Sequence, residues 1–485
     1  VSTRRLAWLA PFVPLLFACT TVGPDYRVPG NAAIRSASAN GALLGGDNHA
    51  VSIAPVPDAW WRLYDDPKLD RLVQQALAAN TDIRLAAANL RRAVAVYHEV
   101  EAENLPQGGI SAKAERAQLS GESFLQTTQP PVLNLGDFGL SVSYLIDIFG
   151  KLARADEAAL ANAQASEAAL DLARVGVVAQ TVRAYVQGCA ASHELEVAER
   201  QLALQERAVD VARKLAASGR GLPTDPIRAQ AQTDTLRAAL PELKAQRAAA
   251  GYRLAVMLGK PPADLTPAEA ECHEEPRLHQ PLPVGDGAAL LKRRPDIRQA
   301  ERELAAATAK IGVATADLYP SIRIGASIGT TGVMRDLGSG PTARWGFGPL
   351  LSWSFPTNGV RPRIHGMEAG ADAALARFDG TVLKALQETE TALTAYTHEL
   401  ERQQALHAAR EQAEEAARQL RLLYQAGRVP YLSQLDADRT LANADAALAA
   451  SESQVALRQI DLFLALGGGW QEARSAQKNM HEKND

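Results

Sequence analysis

Ser321-Ile322-Arg323-Ile324-Gly325-Ala326-Ser327-Ile328 alternates without a break. Ile322, Ile324, Ala326 and Ile328 fall on one side of an extended chain; Ser321, Arg323, Gly325 and Ser327 fall on the other. Such period-2 alternation predicts a β-strand with one apolar face. On its N-terminal side, Pro320 closes a helical stretch from Asp296 to Asp317. On its C-terminal side the alternation returns in Trp345–Phe355, where Trp345, Phe347, Leu351, Trp353 and Phe355 oppose Gly346, Gly348, Ser352 and Ser354. Further on, no Pro occurs from Arg363 to Ala426, and Gly427-Arg428 then supplies a helix stop. A second helix returns from Ser433 to Leu466 along a seam that includes Leu441, Leu448, Val455 and Leu462.

The same grammar stands earlier in the chain. Asp82-Ile83-Arg84 recurs as Asp296-Ile297-Arg298, and Pro106 as Pro320, at an offset of 214. Ser143 and Gly150 match Ser352 and Gly359 at 209; Gly219-Arg220 and Leu258-Gly259 match Gly427-Arg428 and Leu466-Gly467 at 208. A unit of about 210 residues is therefore written twice, which is too long for a solenoid repeat. The first copy has an opening helix, Leu69 to Glu103, and strands near 108–119 and 137–149. A Pro-free stretch follows from Lys151 to Ser218, roughly 100 Å long as a helix at about 1.5 Å per residue. The return helix, Asp225 to Leu258, holds Pro241, which is expected to interrupt and kink it.

The expected organisation is a signal peptide (1–18), a lipidated N-terminal segment (19–64), a first repeat (65–259), a linker rich in Pro and acidic residues (260–287), a second repeat (288–470) and a polar tail (471–485). The second-copy strands lie near 321–332 and 345–355.

The chain has 485 residues, 47% of them hydrophobic and 22% charged, which excludes global disorder. Aromatics are 5%, and Ala is abundant, which favours long helices. With 51 basic and 55 acidic residues the net charge is −4, so nothing suggests a nucleic-acid partner. Arg4 and Arg5 precede the apolar run Leu6 to Ala18, which is too short to span a bilayer. It ends in Leu16-Phe17-Ala18-Cys19, a lipoprotein-type cleavage box that makes Cys19 the lipidated first residue and its acyl chains a membrane anchor. With three cysteines a disulfide scaffold is excluded, and a Cys189–Cys272 bridge stays open.

The alternation by itself fits transmembrane strands and soluble hairpins on helices equally well. In a membrane the consequence is sharp. Sheets there must close, single-chain barrels start at eight strands, and one chain supplies only four. Two chains would give eight and three twelve, and more than eight strands leave room for water. The strand faces opposite the apolar ones carry Ser, Gly, Arg323 and Asp147, which suits a wet interior.

Several motifs together carry a resemblance: Cys19 with Gly23-Pro24-Asp25-Tyr26 and Pro29; Trp60-Trp61 with Asp66-Pro67-Leu69; Arg294-Pro295-Asp296-Ile297; Leu318-Tyr319-Pro320-Ser321; and Tyr431-Leu432-Ser433-Gln434-Leu435-Asp436-Ala437. The chain resembles a TolC-type outer-membrane efflux protein of the lipoprotein (NodT/OprM-like) branch. The resemblance implies a mostly α fold with a small transmembrane β part: a homotrimer with a twelve-stranded barrel continued by an α-helical periplasmic tunnel. It implies a periplasmic adaptor (membrane fusion protein), an inner-membrane efflux pump and outer-membrane lipids as partners. It also implies a periplasmic gate at the last hairpin, with Leu432 and Asp436 at the aperture and Tyr424 and Arg439 as restraints. Three Asp436 side chains around an axis would make an anionic ring. Ser433 stands where some relatives carry a second acid, leaving one carboxylate ring. The turns at Gly219, Arg220, Gly427 and Arg428 are candidate adaptor contacts.

Enzyme readings are weak. Gly325-Ala326-Ser327-Ile328-Gly329 fits G-x-S-x-G, but Ser327 lies inside an alternating strand rather than on a strand-to-helix turn. His193-Glu194 and His398-Glu399 lack the second His of a zinc motif, and no phosphate loop occurs. No catalytic residue, metal or cofactor is expected beyond lipid on Cys19. The competing reading is a lipid-anchored periplasmic coiled-coil scaffold or adaptor without a barrel.

Overall fold

The computed structural model describes residues 21–468, except 47, 123, 124, 126, 273–275 and 279. The signal segment, Cys19 and the polar tail lie outside the described residues. In chain order the elements are β1 (Val51–Ser52), α1 (Pro67–Ala79), α2 (Thr81–Ala102), β2 (Gln107–Ala117), β3 (Leu133–Ile146), α3 (Lys151–Ala217), α4 (Asp225–Met257) and α5 (Pro267–Ala270). There follow β4 (Leu282–Pro283), α6 (Gly287–Arg293), α7 (Pro295–Ala316), β5 (Ser321–Val333), β6 (Ala343–Ser352), α8 (Val360–Gln425) and α9 (Tyr431–Ala465). The chain divides into two units: one of the described residues up to Pro29 with Asn89–Ser166 and Gln299–Phe378, the other of Gly30–Ala88, Glu167–Arg298 and the residues from Asp379 on.

The first unit holds a four-stranded antiparallel sheet in the order β2-β3-β5-β6. Its register lines up Ile110, Leu140, Ile328 and Trp345 in one cross-strand row, and Val142, Ala326 and Phe347 in the next. Directly opposed residues share a face, so this face is apolar through its middle rows, with Arg116 opposite Asn134 at one end. The other face presents rows such as Ser141, Ser327 and Gly346. Two strand ends differ from expectation. β3 stops at Ile146, and the Asp147 carboxylate instead accepts the Ala153 N–H at 2.9 Å, closing the first turn of α3. Asp147 therefore belongs to a helix start, not to the sheet's polar face. β6 stops at Ser352; the Trp353 indole turns to donate to the Leu318 carbonyl at 3.2 Å.

In the second unit, Trp60, Leu69 and Val73 pack with Val182 of α3, Leu254 of α4, and Ile460 and Phe463 of α9. Trp60 is stacked on Phe463 with ring centroids 4.5 Å apart. The expected single opening helix is broken at Asn80. The Asn80 side chain accepts the Asp82 N–H at 2.8 Å and donates to the Met257 carbonyl at 3.1 Å, which fixes a non-helical backbone there. α4 runs unbroken through Pro241, a solvent-facing position, so the expected interruption is absent. The 260–287 segment is pinned down. Thr266 and Glu269 form a capping box, Lys260 pairs with Glu269 at 2.6 Å, and Cys272 is bonded to Cys189 of α3.

Candidate functional site: the helical hairpin ends

All four long helices end the same way. Gly219, Gly259, Gly427 and Gly467 have φ between +67° and +72°, which costs glycine nothing. At the α3 end the Arg220 N–H reaches the Leu215 carbonyl and Gly219 N–H reaches Ala216; at the α8 end Arg428 reaches Leu423 and Gly427 reaches Tyr424. These paired 6→1 and 5→2 bonds satisfy the last carbonyls and reverse the chain. The four turn residues Gly219, Arg220, Gly427 and Arg428 are thus held by backbone geometry and exposed.

Beyond the second turn, Leu432 and Asp436 lie one helical turn apart on α9, so they share a face. Both are exposed, and Asp436 accepts from Arg439 of the same helix at 2.6 Å. The three side chains border a groove of about 670 Å³ whose far wall is Arg228, Gln232 and Thr235 of α4. Tyr424 packs elsewhere, with its ring 5.3 Å from that of Tyr431. The structure therefore gathers Leu432, Asp436 and Arg439 on this groove, and Tyr424 lines a neighbouring cavity that Arg439 also borders; within one chain Arg439 pairs with Asp436.

Two contacts escape the motif reading. The Tyr431 hydroxyl donates to the Ala208 carbonyl of α3 at 2.8 Å, and Arg421 of α8 pairs with Asp438 of α9 at 3.1 Å. Tyr431 sits in a small cluster with Val209, Ala212, Ala229 and Leu435. Burial, with Asp438 and Tyr424 nearby, pushes its phenol up to about 12. Only the repeat offset of 208 hinted at the second contact, since it carries Arg421 back onto Arg213 and Asp438 onto Gln230.

Other motif residues hold the scaffold. Asp66 caps α1 by accepting from Lys68 and Leu69, and the Tyr185 hydroxyl donates to it at 2.8 Å. The buried Arg294 guanidinium forks onto Asp296 and also reaches Glu388 and the Ala465 carbonyl. Gly23 lies so close to Gly312 that a Cβ would meet its backbone at 2.4 Å, while Arg154 holds Val22, Gly23 and Asp25. Ser327 lies mid-strand between Ser141 and Gly346, with no turn into a helix, so the G-x-S-x-G match has no nucleophile-elbow geometry.

The apolar sheet face is the other exposed feature. Trp345 is 82% exposed and Ile110 and Phe347 are each 76% exposed. Soluble chains rarely leave so broad an apolar patch in water. Among the described residues no helix is long and apolar enough to cross a membrane.

Known proteins match along nearly the whole chain. The family model for the outer membrane efflux protein matches residues 72–260 and 288–468, one segment in each copy of the repeat. Nodulation protein T of Rhizobium leguminosarum bv. trifolii is 30% identical over 469 residues, 96% of this chain and 98% of the relative. The toluene efflux pump outer membrane protein TtgC of Pseudomonas putida is 28% identical over 475 residues, 97% of this chain and 96% of its own. The solved outer-membrane channel OprN superposes with a TM-score of 0.86 at 34% identity, covering 93% of this chain and all of that one. A duplicated frame of long hairpins, an exposed apolar sheet and a match to both copies converge: the chain belongs to the outer membrane efflux protein family.

Proposed function

We propose that this outer-membrane efflux channel works as a passive homotrimeric conduit: three four-stranded sheets close one twelve-stranded barrel, and the long hairpins continue it as a tunnel into the periplasm. The observation that carries this reading is the sheet itself. β2 and β6 are open edges, and one face is apolar and exposed. In lipid an unpaired strand edge is too costly to persist, so the edges need strands from further copies. The polar face then lines water. Lipid on Cys19 would add an anchor, and an inner-membrane pump with its periplasmic adaptor would supply energy and cargo, docking at the Gly219-Arg220 and Gly427-Arg428 turns.

Leu432 and Asp436 form the periplasmic aperture in this reading, an apolar constriction beside an anionic ring. The Asp436–Arg439 pair and the packing of Tyr424 on Tyr431 restrain the hairpin. The first test is the native mass of the detergent-extracted outer-membrane protein. Three chains that survive mild detergent support the shared barrel; a monomer released by salt or by Cys19→Ser would replace it with the lipid-anchored scaffold. For the gate, Asp436→Ala with Arg439→Ala should raise resting conductance in a lipid bilayer. Unchanged conductance in an intact trimer would remove these residues from the gate.

A further inference from the structure

Five charged side chains point from the sheet's polar face, and four of them cancel. Lys113 pairs with Glu115 at 2.7 Å, and Arg344 with Asp137 at 3.0 Å. The fifth is Arg323, two residues into β5, at the end of the sheet from which α3 departs. Its cross-strand neighbours on that face are Leu145 and Leu350, which offer no charge. The next row holds Ser143, Gly325 and Gly348, and ends at Gln107 on β2, whose amide donates to the Ala102 and Leu105 carbonyls, so it brings no charge to the guanidinium. Two acids at the helix ends beside the sheet are engaged elsewhere: Asp147 caps α3, and Asp317 bridges Lys151 and Arg363. Among the described residues Arg323 has no acidic partner.

We infer that Arg323 is a specificity-determining residue of the conduit, three copies forming a cationic ring that favours anionic solutes and ions over cations at the inner end of the barrel. The inference rests on the trimeric-barrel reading. An arginine keeps its charge at any working pH. A fixed, unpaired charge inside a low-dielectric wall focuses its field into the lumen, and rings of Arg or Lys select for anions. Its direct neighbours, Leu145 and Leu350, carry no charge, so the arginine alone sets the sign of the field there.

The test uses the full-length protein with its native mass measured first. In planar bilayers under a potassium chloride gradient, Arg323→Gln should lower the chloride-to-potassium permeability ratio by roughly two- to fivefold, Arg323→Glu should lower it further, and Arg323→Lys should retain the preference. A closed periplasmic gate does not block the second readout. A fluorophore on Ser327→Cys, reached from the extracellular side, should be quenched by iodide more than by thallous ion, and Arg323→Gln should erase that bias. A trimer whose permeability ratio or quenching bias is the same in all four forms overturns the role of Arg323 and leaves the barrel standing. A monomer overturns both.

Discussion

Arg213 donates to Gln230 across the first helical hairpin at 2.9 Å; at the repeat-equivalent place in the second, Arg421 meets Asp438 at 3.1 Å. The offset that relates these pairs also sets Pro223 against Tyr431 and Arg228 against Asp436. Both hairpins keep the same glycine-closed turn and the same arginine across it. What differs is the partner: a neutral amide in one copy, a carboxylate in the other. Duplication preserved the geometry that reverses the chain, and divergence placed a carboxylate opposite that arginine on the second hairpin only. Next to the turn, the second hairpin's brace is therefore an ion pair that salt can weaken, while the first hairpin's is not; the first hairpin's own cross-helix ion pair, Arg237 with Glu206 at 2.9 Å, lies farther from its turn.

The sharpest way to break this near-symmetry is in the core. Phe463 of α9 carries the Trp60 stack, while its repeat counterpart in α4 is Ala255, which offers no ring. Trp60 is essentially fully buried. Trp60→Ala should therefore cost about 3–5 kcal/mol, read as a lower thermal midpoint in detergent. A loss below about 1 kcal/mol would mean the cavity collapses without penalty and the asymmetry is unimportant. The bridge from Cys189 of α3 to Cys272 comes next; it ties the first copy to the linker and has no counterpart in the second copy. Cys272→Ser should remove about 2–4 kcal/mol, because the bond closes a long loop in the unfolded chain. Denaturant curves with and without reductant check this: reductant should weaken the natural protein by a similar amount and leave the variant unmoved.

Alternation in β5 and β6 was legible because strand faces repeat every two residues, and the register confirms one apolar face. The helix stops at Gly219 and Gly427 were legible because the turn needs a positive φ. What escaped depended on partners far away in sequence. Asn80 breaks a strongly helical stretch through the Met257 carbonyl, and the choice of Cys272 as partner for Cys189 is a matter of folded proximity. Asp147 and Trp353 kept the strand rhythm and yet left the sheet, because a helix N-terminus and a carbonyl claimed them. At the candidate gate, Leu432 and Asp436 share a face by helical spacing alone, and Arg439 follows at the i,i+3 distance. The link from Tyr431 to Ala208 crosses to α3 and left no trace in local pattern.

That link gives the third prediction. The Tyr431 phenol, ordinarily near 10, is held up to about 12 mainly by burial. Its folded value lies above its unfolded one, so the stabilisation is whole below pH 10 and drains away as pH rises towards 12. Tyr431→Phe should cost about 0.5–1.5 kcal/mol at neutral pH and flatten the alkaline loss, followed as a stability–pH profile. Pro223 has nothing to ionise, so an equally steep alkaline loss in the variant would refute the assignment to the second hairpin.

The smallest effect bears most directly on the two braces. Asp438→Asn gives the second hairpin the chemistry of the first. Arg421 and Asp438 are about one half and one quarter exposed, so water and salt screen the pair, and the stability change should be only about 0.2–1 kcal/mol. Function should read it more clearly than stability does. A hairpin that opens by a small free energy changes its open population in proportion to the Boltzmann factor of that energy, and about 0.5 kcal/mol is already roughly a twofold change. Resting conductance should rise by about that factor at low salt in Asp438→Asn, and the difference from the natural protein should shrink as salt is raised. Gln230→Ala, in the first hairpin, should show no comparable salt dependence, because the pair it breaks is not an ion pair. Equal salt-dependent responses from both variants would mean that the carboxylate at 438 does not distinguish the hairpins, and that closure rests instead on the groove beside Asp436.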